Sequence, residues 1–266
     1  MTVLVVASER DQAALNIVSW LIREYGFDKS AEYGDPRIMQ KDDVMLTKVE
    51  EESICADAVD SIGNPSVVIF ASKHTSEKGQ PCLTVHCTGN VLNEAPYGGK
   101  PRSLALAEPN RMRAALLSLS ESREELGLPY LVSLEATHHG PTELRVPCMF
   151  AEIGSSLNEW KDPSAGKAVA RAIWTAATSP SKGTLAVGFG GGHYSWKHTE
   201  AVIKGEFALG HILSKYFFEK YDPSLVELAF RKTMGDCAHG IIDKKGIPGP
   251  QRRLLTEFLE TSGRRV

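Results

Sequence analysis

Five of the eight histidines follow short, strongly apolar runs. Val67–Phe70 leads into Ser72-Lys73-His74. Leu131–Thr137 leads into His138-His139-Gly140-Pro141-Thr142-Glu143. Leu185–Val187 leads into Gly188-Phe189-Gly190-Gly191-Gly192-His193, with His198 and Glu200 close behind. Neutral imidazoles near carboxylates serve as ligands for divalent transition metals or as acid–base partners. The densest segment puts Glu135, His138, His139 and Glu143 within nine residues around Gly140-Pro141, whose composition predicts a loop that doubles back. On an extended backbone the two adjacent histidines point in opposite directions, so they are expected to play different roles. Lys73, His74, Glu77 and His86 form a second polar group, and Thr88-Gly89-Asn90 after His86 reads as a turn or a backbone anion nest. The glycine run nearly matches Gly-x-Gly-x-x-Gly. However, His193 takes the last glycine position and Tyr194-Ser195-Trp196 is a poor helix opening, which argues against dinucleotide binding. Its N–H groups remain free in principle to meet a phosphate or an oxyanion. There is no Gly-Lys-Ser/Thr loop, no His-Glu-x-x-His and no Gly-x-Ser-x-Gly elbow. His211 and His239, in apolar surroundings, read as structural, and Cys148 reads as buried.

The elements needed to position these groups alternate strand and helix. Val3–Ala7 reads as a buried strand. Asp11–Tyr25 carries Leu15, Val18, Ile22 and Tyr25 at helical spacing, with Ser8 as candidate N-cap and Gly26 beyond the end. Strands are predicted at 44–49, 67–70, 83–86, 130–137, 148–153, 184–187 and 238–243. Helices are predicted from an Asn110 cap to about Leu126, at 164–177, 223–233 and 250–259, with a single turn after the Ser156…Glu159 capping box. Residues 201–218 read as a strand or helix around 207–217, and Tyr33–Gly63 as a peripheral hairpin. This alternation predicts an α/β fold: an α/β/α sandwich whose mixed, largely parallel sheet carries the histidines at the carboxyl ends of its strands. One domain over residues 1–266 is the simplest organisation.

A net charge of −3 excludes a chain that binds nucleic acid through its whole surface, so such a partner needs a local patch. Lys244-Lys245, Arg252-Arg253 and Arg264-Arg265 are candidates. No run of about 18 apolar residues exists, so no membrane span is expected. The five cysteines are odd in number and lack a Cys-x-x-Cys pair, which fits a reduced cytoplasmic interior.

The segments Ser72-Lys73-His74, Leu83-Thr84-Val85-His86 with Gly89-Asn90, Glu135 through Thr142, Ala151-Glu152-Ile153-Gly154-Ser155-Ser156 with Trp160, and Gly190 through Tyr194 with Lys197-His198-Thr199-Glu200 resemble the archaeal and plant type of D-aminoacyl-tRNA deacylase. The resemblance runs in order over residues 1–260. It implies hydrolysis of the ester of D-aminoacyl-tRNA, a zinc requirement of up to two ions, and a fold like those of peptidyl-tRNA hydrolase and nucleoside phosphorylases, which are also the rival activities. On that basis His74, His138 and His193 are assigned to water activation or metal binding. Glu135 or Glu143 is the base or orienting carboxylate. The Gly190, Gly191 and Gly192 N–H groups are assigned to the oxyanion, Lys73 and Lys197 to terminal phosphates, and His86 to substrate. His138, His193 and His198 are the candidate zinc ligands. The partner is D-aminoacyl-tRNA; DNA and membrane are not expected partners, and the chain is expected to be a monomer.

Overall fold

The computed structural model describes residues 2–29, 37–77 and 79–266. In chain order the strands are β1 (Val3–Ser8), β2 (Asp28–Lys29), β3 (Met39–Lys41), β4 (Val44–Val49), β5 (Val67–Thr75), β6 (Cys82–His86), β7 (Gly89–Asn90), β8 (Ser103–Leu104), β9 (Leu131–Leu134), β10 (Cys148–Ser155), β11 (Thr184–Phe189), β12 (Phe207–Leu213) and β13 (His239–Ile242). The helices are α1 (Gln12–Tyr25), α2 (Pro109–Glu125), α3 (Leu157–Trp160), α4 (Pro163–Thr178), α5 (Trp196–Ile203), α6 (Pro223–Arg231) and α7 (Gly249–Thr261).

Eight strands form the main sheet in the order β2-β3-β4-β1-β5-β10-β6-β9. Its centre is parallel, while β6 runs antiparallel to β10 and β2-β3-β4 form an antiparallel edge. The fold is therefore α/β, with a mixed, mostly parallel sheet flanked by helices. The near-continuous apolar runs of β1 and β5 are those of strands buried on both faces. Helix α4 packs against both α1 and α2, and the three lie against β5, β6, β9 and β10.

Three differences from the sequence expectations matter for the site. First, β11 does not join the main sheet. It lies between β12 and β13 in a separate three-stranded parallel sheet with its own apolar core around Phe189, Phe217, Phe230 and Leu259. Strand membership depends on long-range pairing, which a local apolar run does not encode. Second, Trp196 does open a helix, α5; residues 201–218 then resolve into the end of α5 and the buried strand β12. Third, the caps shift. Asp11, not Ser8, caps α1, its Oδ1 accepting from Ala13 N at 2.9 Å and Ala14 N at 3.1 Å, because Ser8 is still inside β1. Glu108, not Asn110, caps α2, with Pro109 at the first turn, where its missing N–H costs nothing. The hairpin expected within 33–63 is β3–β4, though residues 33–36 lie outside the described residues.

Candidate active site

Strand register assembles the first part of the site. Along β10, Phe150 pairs with His86 of β6 and Gly154 with His74 of β5. Positions 150, 152 and 154 share a face because side chains alternate across a strand. His86, Glu152 and His74 therefore stand in a row on one face of the main sheet, with His74 and His86 at the carboxyl ends of β5 and β6. Gly154 leaves the space His74 occupies, since a Cβ there would meet His74 Cδ2 at 2.8 Å and Cys82 Sγ at 2.7 Å.

The second part comes from the seam between the two sheets. Glu135 bridges to Tyr194, Ala136 N donates to His193 O at 2.9 Å, and Ser195 N donates to Leu134 O at 2.9 Å. This stitching brings Glu135 and His193 onto the row. Glu135 Oε1 lies 3.0 Å from His74 Nδ1, and its Oε2 lies 3.2 Å from His193 Nε2, 3.5 Å from His138 Nε2 and 4.0 Å from His86 Nε2. Glu152 Oε2 lies 3.6 Å from both His74 Nδ1 and His86 Nε2. The three strand-end histidines His74, His138 and His193 thus do converge, but from two sheets.

His139 joins them. Its φ of 45° is left-handed, so it does not alternate with His138 as an extended residue would, and the two rings stand 4.3 Å apart between centroids. The His139 ring lies 4.8 Å from that of His86. Glu152 is the residue sequence reasoning left without a role. Its signal was an acid in the middle of an otherwise apolar strand, where an unpaired charge is costly.

The electrostatics favour a cation. Burial opposes ionisation of Glu135, but the close approach of His193 at 3.2 Å and the charges of His74 and His193 prevail and hold it low. Glu152 is likewise driven low against burial by His74 and His86. Burial works against the charged form of His74, yet hydrogen bonding to Glu152 and the charges of Glu135 and Glu152 lift its pKa to about 8. Burial and the neighbouring imidazoles keep His138 well below its ordinary value, and burial with His86 brings His139 down to about 4.

Backbone carbonyls also orient three of the rings. His86 Nδ1 faces Cys87 O at 3.3 Å, His138 Nδ1 faces Ala136 O at 2.8 Å, and His139 Nδ1 faces Gly140 O at 2.6 Å. A carbonyl only accepts, so each Nδ1 carries the proton, and a ring in its neutral form presents an Nε2 lone pair. His86 Nε2 and both Glu135 oxygens are buried without a well-formed hydrogen bond. Lone pairs facing carboxylate oxygens repel one another unless a proton or metal ion lies between. Two trios, His86-His138-His139 and His74-Glu135-His193, have ligand atoms within 4.8 Å of one another, as does His86-Glu135-Glu152. The donor set of imidazole nitrogens and carboxylate oxygens suits zinc.

Other sequence candidates are placed elsewhere. Glu143 pairs with Lys100 at the surface, outside the cluster. His198 Nε2 lies 3.1 Å from both Phe189 N and Ile241 O and ties the second sheet together instead of reaching the cluster. Lys197 is exposed and pairs with Glu200 at 2.9 Å. Lys73 does line the cavity, but its Nζ is held 3.2 Å from Glu52. Gly190 N is spent on Leu213 O at 2.8 Å, and of the glycine turn only the following His193 borders the cavity. Gly89 and Asn90 form β7 against β8, and Gly89 N donates to His139 O at 2.8 Å, so they make no anion nest. His211 and Cys148 are buried as expected.

The cluster lies at the floor of a cavity of about 770 Å³, walled by Asn90, Val91, Leu92, Pro96 and Tyr97 and rimmed by Glu52, Glu77 and Glu94. Fold and site together define an α/β protein with a histidine–glutamate centre able to hold cations at the base of a substrate-sized cavity. A family model described as D-aminoacyl-tRNA deacylase matches residues 62–266. A protein of Methanosarcina barkeri named D-aminoacyl-tRNA deacylase is 39% identical over 254 residues, covering 94% of this chain and 81% of that one. One of the same name from Pyrococcus furiosus is 36% identical over 267 residues, covering 98% and 97%. A crystal structure titled only as a conserved protein of unknown function superposes with a TM-score of 0.90 at 32% identity, covering 100% of this chain and 94% of that one. The chain belongs to the D-aminoacyl-tRNA deacylase family.

Proposed function

We propose that the chain hydrolyses the ester bond of D-aminoacyl-tRNA at the histidine–glutamate centre, releasing free D-amino acid and reusable tRNA. The observation that carries this reading is the convergence of His74, His86, His138, His139 and His193 on Glu135 and Glu152 at the cavity floor. Zinc held by His86, His138 and His139 would supply a bound water with a pKa near 7.

The chain's own groups do the rest. Glu135 is fully buried and ringed by imidazoles, so it is the base that takes a proton from the attacking water. Glu152 balances charge on His74 and His86 from 3.6 Å. His193 is 41% exposed at its side chain and faces the cavity, where it returns the proton to the leaving ribose oxygen. The walls set by Leu92 and Tyr97 select the D configuration by shape, because an L side chain would displace the ester from the centre. The chain acts as a single domain and a monomer in the cytoplasm, a compartment compatible with its five free cysteines.

The test is paired deacylation of D- and L-aminoacyl-tRNA, with and without a chelator. D-specific hydrolysis lost on chelation and restored by zinc supports the reading. Hydrolysis restricted to N-blocked L-aminoacyl-tRNA would replace it with a peptidyl-tRNA hydrolase. Full D-specific activity in metal-free protein would leave the histidines as acid–base groups alone.

A further inference from the structure

The rim of the cavity is acidic: Glu52, Glu77 and Glu94 line it, and Lys73, the lysine among its described lining residues, is neutralised by Glu52. Such a rim suits the α-ammonium of an aminoacyl ester and repels phosphate. The polynucleotide must therefore leave the site in another direction. The two lysines first assigned to phosphates are both engaged with glutamates.

Past the glycine turn, where Asp243 Oδ1 accepts from Lys245 N at 3.1 Å and Gly246 N at 3.3 Å, basic side chains collect. Lys215 N donates to Gly191 O at 2.9 Å, and Gly246 packs on the same turn so closely that a Cβ there would lie 2.2 Å from Gly191 N. These contacts found a second groove of about 510 Å³, lined by Lys215, Tyr216, Lys245 and Gln251, with Glu219 its one acidic lining residue. Gly191 is two residues from His193, which is about 7 Å of chain at most. Lys215 and Lys245 are exposed, and Lys215 Nζ lies 5.1 Å from the centre of the Tyr216 ring, itself 51% exposed. Lys244 and Arg252 extend the positive edge, Arg252 Nη1 donating to Lys244 O at 2.5 Å. Cations beside an exposed aromatic ring are the means by which proteins hold single-stranded nucleic acid without reading sequence.

We infer that the single-stranded acceptor end of the tRNA crosses the Gly190–Gly192 turn and lays its phosphates on Lys215 and Lys245, with a base against Tyr216. The inference rests on the deacylase reading and fixes the polarity of the substrate: aminoacyl group toward the acidic rim, polynucleotide toward the basic groove. Lys215 and Lys245 touch no group of the catalytic centre.

The experiment compares D-tyrosyl-tRNA with D-tyrosyl-adenosine, which keeps the ester and terminal nucleoside but has no phosphate. In Lys215→Ala/Lys245→Ala the KM for D-tyrosyl-tRNA rises about tenfold with kcat unchanged. Lys215→Glu/Lys245→Glu raises it further, and both variants hydrolyse D-tyrosyl-adenosine like the wild type. Losing two single-strand phosphate contacts makes the salt dependence of kcat/KM shallower by about 1.4 in log–log slope. An unchanged KM for the tRNA in both variants overturns the inference, as does an equal loss on the two esters. A wild-type chain inert toward both esters removes the deacylase activity and this docking path with it.

Discussion

At the scale of single residues, the centre works because opposite needs meet at short range. Glu135 and Glu152 require positive partners, and five imidazoles each have a nitrogen within reach of them or of one another. Removing one ring leaves buried carboxylate unbalanced as well as deleting a ligand or proton carrier. His138→Ala and His139→Ala are each expected to lower kcat/KM for D-aminoacyl-tRNA by more than about tenfold, a general acid–base or metal-ligand loss. His139 is the informative member: backbone alternation argued against it, and its left-handed φ of 45° restores it. An His139→Ala enzyme with normal turnover and normal metal content would refute its place in the trio. His198 makes the opposite prediction. Its Nε2, 3.1 Å from both, bonds either Phe189 N of β11 or Ile241 O of β13 inside the second sheet, so His198→Ala should lower the melting temperature while leaving bound zinc per chain unchanged by elemental analysis. The histidines were legible because type and position within a strand–loop pattern mark them. Glu152 was not, because its partners lie on strands β5 and β6, 60 to 80 residues away in sequence, and register is a long-range property.

Elements position those residues, and the loop carrying His138 and His139 is positioned by a segment with little secondary structure. Asp57 Oδ1 accepts from Thr142 N at 3.1 Å and Glu143 N at 3.0 Å, and Asp60 Oδ2 accepts from Arg145 N at 2.8 Å and Arg145 Nε at 3.0 Å. Burial disfavours the Asp60 carboxylate, but its hydrogen bonds and charge pairing with Arg145 hold its pKa below the ordinary 3.8. A depressed folded-state pKa stabilises above the unfolded value and is lost as pH falls through the folded one. Asp60→Asn is therefore expected to cost about 1–3 kcal/mol, typical of breaking a charged hydrogen bond. The melting difference from wild type should be flat between pH 8 and 5 and close only below about pH 4. A gap that closed near neutrality would point to another group. The same loop is pressed against residues 98–99: a Cβ at Gly140 would meet Gly99 N at 2.4 Å, Gly98 C at 2.5 Å and Ile54 O at 2.6 Å, all backbone. Gly140→Ala must move one loop off the other, at a typical overpacking cost of about 1–3 kcal/mol. It should reduce kcat more than it reduces the melting temperature of the main sheet. Elements with strong local patterns, such as α1, α4 and β1, were readable from the spacing of their apolar residues. Helix α5 was not, because its opening residues Trp196 and Lys197 are exposed and the inward-facing His198 and Thr199 are polar.

For the whole molecule, the question is whether two sheets with two apolar cores behave as one unit. The smaller core, around Phe189, Phe217 and Leu259, has fewer buried side chains than the main one. Its stability is therefore expected to depend on the seam. That seam consists of β9 and the chain after it meeting residues 193–199 and 212: Ala136 N to His193 O, Ser195 N to Leu134 O, Thr137 N to Ile212 O, and Leu134 N to Thr199 Oγ1 at 2.9 Å. Thr199 Oγ1 in turn donates to Ser195 O at 3.0 Å, so one buried hydroxyl couples β9 to the first turn of α5. Intact, the seam should make unfolding a single two-state transition, with calorimetric and van't Hoff enthalpies equal and the fluorescence of the tryptophans coinciding with far-ultraviolet circular dichroism. Thr199→Val keeps the shape but strips Leu134 N of its acceptor, which costs about 1–3 kcal/mol for a buried unsatisfied donor. The second sheet should then melt first, and the transition should broaden or split. Because His193 is the one imidazole of the centre delivered by the second sheet, D-aminoacyl-tRNA deacylation should fall with that first transition while most of the circular dichroism signal survives. Activity that persisted until the main sheet melted would show that His193 is held in place without the seam.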